Sequence, residues 1–80
     1  MASRYDKYVH QVDGRWVVAE WSEHHSQWQS SNRKPPPGME NSYRYTYARS
    51  LRGLVHEGVR TYATRRSALA IASMRHGGEE

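Results

Sequence analysis

Between residues 43 and 66 the chain interleaves tyrosine with arginine: Tyr43, Arg44, Tyr45, Tyr47, Arg49 and Arg52, then Arg60, Tyr62, Arg65 and Arg66. Guanidinium groups neutralise phosphates and stack on flat rings, while aromatic faces stack unpaired bases. Single-strand binders combine the two. The charge distribution agrees. Residues 41–76 carry seven arginines against one acid, Glu57, whereas residues 1–40 balance five basic side chains with five acidic ones. The whole chain is +4 at pH 7, with an isoelectric point near 9.8. We therefore expect Arg44, Tyr45, Arg49, Arg52, Arg60, Arg65 and Arg66, together with Trp28, to carry a binding function.

A blander account uses the same residues: Tyr43 and Tyr47 serve as core, the arginines line a solvated face, and a GC-rich genome supplies the arginine bias. Tyrosine, tryptophan and arginine are also the types enriched at protein–protein hot spots. An acidic protein or a nucleoprotein complex would suit them as well as nucleic acid, with the basic charge steering the encounter.

Other chemistries find no footing. Nucleophilic catalysis needs a serine, cysteine or threonine beside an oriented base, and no glycine-flanked serine elbow occurs. The five histidines do not make a ligand set: Glu23, His24 and His25 are adjacent and diverge, and neither a His-x3-His pair nor HExxH is present. Apart from Gly77-Gly78 the six glycines stand singly, so no phosphate cradle is formed. No enzyme activity, metal or cofactor is expected.

The elements that must position these residues belong to one small α+β domain over residues 1–80. Eighty residues can enclose one core and no second one. Valine, leucine and isoleucine total ten, phenylalanine and cysteine are absent, and three tryptophans with six tyrosines carry the apolar mass. Such a core is thin, with no disulfide to reinforce it, so a partner or a homodimer contact would add stability. The opening MASRYDKYVHQ is polar from its third residue, and no apolar stretch reaches membrane-spanning length. A cytoplasmic protein without a membrane anchor is expected.

Asp13-Gly14 separates two strand-like runs, Tyr5 to Val12 and Arg15 to Trp21, and suits a two-residue type I′ turn. The register that follows pairs Val12 with Arg15, His10 with Val17, Val9 with Val18, Tyr8 with Ala19, and Lys7 with Glu20 as an ion pair. One face then holds Tyr8, His10, Val12, Val17, Ala19 and Trp21. The other holds Val9, Gln11, Trp16 and Val18. Residues 22–41 turn polar and end in SSNRKPPPGMEN, which reads as a mobile loop. Trp28 lies inside it, either as a plug folded onto the core, the commoner use, or as an exposed anchor.

Tyr43, Tyr47, Leu51, Leu54 and Val55 follow helical spacing, with Ser42 as cap and Gly58 as stop. Tyr43 to Tyr47 alternates with period two in strand formers, and Gly53 weakens a helix interior. A helix is expected over 48–57, with 43–47 open between helix and strand. Val59 to Ala63 reads as a short strand, and Thr64 caps a helix from Arg65 to His76, ended by Gly77-Gly78 and a flexible tail over 77–80. On that helix Ala68, Leu69, Ile71 and Ala72 share the buried arc. The expected architecture is an antiparallel sheet, formed by the N-terminal hairpin and a later strand, packed by one or two helices.

The hairpin YVHQVDGRWVV and the closing VRTYATRRSALAIA look like the beginning and end of small sheet-and-helix accessory proteins of phages and mobile elements, including anti-CRISPR proteins. The resemblance implies a non-enzymatic binding role, either on nucleic acid or a nucleic-acid-handling complex, or as a protein-binding inhibitor or adaptor that touches no nucleic acid.

Overall fold

The computed structural model describes residues 4–31, 38 and 45–76. A 3-10 turn, Asp6–Tyr8, leads into strands β1 (Val9–Val12), β2 (Arg15–Val18), β3 (Glu20–Ser22), β4 (Gln27–Ser30) and β5 (Thr46–Ala48). Helix α1 (Leu51–His56), strand β6 (Thr61–Tyr62) and helix α2 (Arg65–His76) follow. The result is the expected α+β domain, but with two antiparallel three-stranded sheets in place of one. Their strand orders are β1-β2-β6 and β3-β4-β5.

The β1–β2 hairpin has the register that its turn residues dictate: Val9 opposite Val18, His10 opposite Val17, Gln11 opposite Trp16, and Val12 opposite Arg15. Asp13 and Gly14 both take positive φ, 51° and 79°, as a type I′ turn requires. The register does not extend to the Lys7–Glu20 ion pair. Lys7 and Tyr8 sit in the 3-10 turn, where Lys7 Nζ lies 5.1 Å from the centre of the Tyr8 ring, and Glu20 accepts a hydrogen bond from Gln29 instead. Leaving strand geometry also moves Tyr8 off the His10 face. It joins Val9 and Val18 in a core against Ala68 and Ala72 of α2, where its ring stacks on His76 at 3.7 Å.

The run from Arg15 to Trp21 is not one strand. It breaks after Val18, and the chain passes at Ala19 from the first sheet to the second while the Ala19 N–H still donates to the Tyr8 carbonyl. β3 then turns back through Glu23–Ser26, with Ser26 at φ 53°, into β4. The expected loop over 22–41 is thus corrected at its start: residues 27–30 form a central strand. The polar letters Gln27, Gln29 and Ser30 hid it, although Gln29 and Ser30 find partners within the sheets. The buried Ser30 hydroxyl donates to the Val18 carbonyl at 2.7 Å, joining the two sheets. The rest of the expected loop lies outside the described residues, except Ser31 and Gly38, as do Tyr43, Arg44 and the tail.

The segment 46–48 is strand, and α1 begins at Leu51, three residues later than expected. Its cap is Ser50, whose Oγ accepts from the Gly53 N–H at 3.0 Å, and not Ser42. Gly53 sits where a side chain would be crowded. A Cβ at that position would meet Ala48 Cβ at 3.0 Å and Ser50 Oγ at 3.1 Å, so the bare glycine lets α1 close onto β5. Gly58, at φ 101°, ends the helix in a Schellman arrangement, with its N–H on the Val55 carbonyl and the Val59 N–H on the Leu54 carbonyl. The Val59–Ala63 strand shrinks to Thr61–Tyr62, paired with β2. Thr64 caps α2 as expected, its Oγ1 accepting from the Ser67 N–H.

Two small cores result. α2 covers one face of the first sheet through Ala68 and Ala72, both fully buried, flanked by Trp16, Tyr62, Leu69 and Ile71. α1 covers the second sheet, where Ala19, Leu54 and Val59 pack with Trp28, Ala48 and Leu51. Among the described residues no helix is long and apolar enough to cross a membrane.

A Cβ at Gly14 would meet no atom within 4 Å, so the cost of Gly14→Val arises from the backbone alone. A β-branched residue held at positive φ costs ~1–3 kcal/mol. Thermal unfolding of Gly14→Val should therefore show a melting temperature lowered by at least several degrees, given about 4–8 °C per kcal/mol in a domain of this size. An unchanged midpoint would contradict the turn assignment.

Candidate functional site

Side chains alternate across a strand, so the two faces of the second sheet differ in character. On the covered face Trp28 opposes Trp21 and Ala48, with Ser30 and Thr46 buried beside them. On the other face Glu20, Gln29 and Tyr47 form a cross-strand row in which Gln29 Nε2 donates to Glu20 Oε1 at 2.8 Å. Tyr45 precedes Tyr47 by two residues and shares its side of the sheet. The two rings lie 6.2 Å apart and are exposed by 47% and 36%, too much for a core role.

The β3–β4 turn extends this aromatic row. His25 packs against Tyr47 at 4.5 Å, and His24 meets His25 edge-on at 4.9 Å. The turn is held from within: Ser22 Oγ accepts from the His25 N–H at 3.3 Å and lies 3.0 Å from His25 Nδ1. The row Tyr45–Tyr47–His25 is thus set by a strand and a pinned turn.

The sequence pattern includes Tyr45 among the expected site residues, leaves Tyr47 open between the Tyr–Arg row and the core, and favours solvated or locally hydrogen-bonded roles for His24 and His25 over metal ligation. The period-two alternation of Tyr43 to Tyr47 was the signal for the exposed row. A second aromatic chain runs along the covered face, from His10 to Trp28 at 4.9 Å and on to Trp21 at 5.6 Å. Trp28 is therefore a half-buried plug, placed on a strand rather than in a loop. Its partner Trp21, 48% exposed, is the tryptophan open to solvent.

The arginines divide into two groups. Arg52 pairs with Asp13 at 2.8 Å, linking α1 to the hairpin turn, and Arg65 pairs with Asp6, linking the start of α2 to the 3-10 turn. The Arg52 pair is largely exposed, so it contributes little stability, but it engages a guanidinium that the sequence offers for binding. Arg15, outside the expected set, donates from Nε to Thr61 Oγ1 across β2 and β6. Arg49, Arg60 and Arg66 are exposed and have no hydrogen-bond or ion-pair partner among the described residues. Arg49 follows β5, Arg60 precedes β6, and Arg66 lies in the first turn of α2, so these three arginines are not gathered on one element. Arg44 lies outside the described residues.

No group of three or more His, Cys, Asp or Glu side chains among the described residues could hold a metal ion. His10 stands apart from the other histidines. It lies between the sheets against Trp28, and its buried Nε2 has no hydrogen-bond partner among the described residues. Burial lowers its pKa from the ordinary 6.5, because desolvation disfavours the imidazolium more than the nearby Ala19 and Lys7 backbone groups favour it.

The folded state therefore holds His10 neutral where the unfolded chain takes up a proton. This contribution to stability is complete above pH 6.5 and is lost as pH falls through 6.5 toward the lowered folded value. Chemical denaturation from pH 8 to pH 5 should show it, and His10→Gln should remove that part of the pH dependence. Equal pH dependence in both proteins would contradict the assignment.

Comparisons with protein-family models, with curated proteins and with solved structures find no match to this chain.

Proposed function

We propose that this chain is a small, non-enzymatic binding protein that engages nucleic acid or a nucleic-acid-handling complex. The observation that carries the reading is the coincidence of unpartnered arginines with exposed aromatic rings on a basic chain. Among the described residues Arg49, Arg60 and Arg66 have no partner and can meet phosphates, while Tyr45 and Tyr47 present their rings to solvent. The ion pairs of Arg52 and Arg65 reduce the arginines available, and Arg44 adds its charge to the same half of the sequence.

A second reading rests on Trp21. A half-exposed tryptophan braced edge-on by Trp28 is the kind of rigid aromatic anchor that dominates protein interfaces. It suits an inhibitor or adaptor of the phage and mobile-element type, in which the positive charge steers association with an acidic protein.

Salt titration separates the two. With three free arginines on phosphates of a single strand, log affinity should fall against log salt with a slope of about −2, from about −0.7 per contact. The triple variant Arg49→Ala/Arg60→Ala/Arg66→Ala should flatten it. Absence of binding to any nucleic acid at 50 mM salt would overturn direct engagement of nucleic acid and leave a protein partner in front. A protein partner would instead show salt acting on its association rate, with Trp21→Ala accelerating dissociation.

A further inference from the structure

We infer that the open face of the β3-β4-β5 sheet is a stacking platform for unpaired bases, so that the preferred ligand is single-stranded nucleic acid rather than duplex. This rests on the nucleic-acid reading above and specifies its ligand and its surface. In a duplex the base faces are consumed by stacking on one another, and only edges and phosphates are offered to a protein. Exposed rings on a sheet gain nothing from such a ligand. A single strand can splay its bases onto them, as domains that present aromatics from a sheet do.

The platform has the required parts. Tyr45 and Tyr47 supply two exposed rings 6.2 Å apart, and His25 continues the row 4.5 Å beyond Tyr47. These rings are positioned in advance: Tyr47 is on a paired strand opposite Gln29, and His25 is in a turn held by Ser22. Little side-chain entropy therefore remains to be lost on binding. Arg49 follows Tyr47 by two residues, is exposed, and has no partner among the described residues, so a cation for the strand's phosphates stands next to the rings in the chain. A polyanion with aromatic bases matches the exposed rings and the neighbouring Arg49 at once; the segment 41–76 is net +6 in sequence, although Arg52 and Arg65 are paired with Asp13 and Asp6 and the open face itself carries Glu20.

The test is fluorescence anisotropy at 50 mM salt with labelled 12-nucleotide oligo(dT), oligo(U) and a 12-base-pair duplex, using the full chain. Tyr47→Ala and Tyr45→Ala should each weaken single-strand binding by about fivefold to more than a hundredfold, the range produced by removing one base–aromatic stack, and leave duplex binding within about twofold. Tyr47→Phe keeps the ring and should retain wild-type affinity. Both oligomers should respond alike to the tyrosine variants, because stacking needs only a base face; the ratio of the oligo(dT) and oligo(U) affinities reports whether DNA or RNA is preferred.

Tyr45 precedes β5 and is nearly half exposed, so Tyr45→Ala provides a readout that does not depend on strand integrity, with melting curves confirming that each variant folds. Wild-type binding of single strand and duplex with equal affinity, insensitive to either alanine variant, would overturn this inference while leaving the charge-based reading in place. Failure to bind any of the three probes would overturn both.

Discussion

The structure depends on the pairing of β1 with β2, because that register decides which β2 side chains meet α2 and how the chain leaves β2 at Ala19 for the second core. Trp16 and Val18 look toward α2, while the fully buried Val17 and then Ala19 look the other way. A slip of one residue would exchange these faces and leave both helices against the wrong side chains. The Asp13-Gly14 turn forbids that slip, since its two positive φ values are compatible with one register only.

The chain has few large aliphatic residues, and it divides them. Each core has a small set of fully or nearly buried side chains, and aromatic residues close the margins: Tyr5, Trp16 and Tyr62 around the first, Trp28 around the second. Burying one aliphatic side chain is worth about 1.5–3 kcal/mol, so cores this size leave little reserve once chain entropy is opposed. Alanines at 68 and 72 and glycine at 53 compensate by letting helices approach closely, so that the modest apolar area is at least tightly packed. The two sheets are also tied by polar contact, through the Ser30 hydroxyl on the Val18 carbonyl.

That economy shapes the surface. With helices covering one face of each sheet and the remaining apolar residues used at the margins, the outer face of β3-β4-β5 is left uncovered among the described residues. The side chains there, Glu20, Gln29, Tyr45 and Tyr47, combine polar groups with exposed rings. Arginine plays two parts around this framework. Arg15, Arg52 and Arg65 tie elements together through Thr61, Asp13 and Asp6, whereas Arg49, Arg60 and Arg66 remain available. The same side-chain type thus serves structure where an acceptor comes within reach and remains open for a ligand elsewhere.

What the sequence determined by itself was local. Asp13-Gly14 specified its turn and with it the β1–β2 register, Thr64 specified the start of α2, Gly58 ended α1, and the spacing of Ala68, Leu69, Ile71 and Ala72 marked the buried face of α2. Each signal acts within a few residues, through a backbone angle, a cap or a helical period, and needs no distant partner. Tertiary structure decided the rest. Whether Gln27 to Ser30 was loop or strand depended on β3 and β5 arriving on either side to pair its backbone. Whether Tyr47 was core or surface depended on strand geometry prevailing over helical spacing, once Ser50 capped α1 at Leu51 and Gly53 let the helix lie close to Ala48. Which arginines stayed free depended on where Asp6 and Asp13 came to rest, 59 and 39 residues away in the chain from Arg65 and Arg52. Pairings at that separation are selected by packing of the whole domain, and no local pattern encodes them.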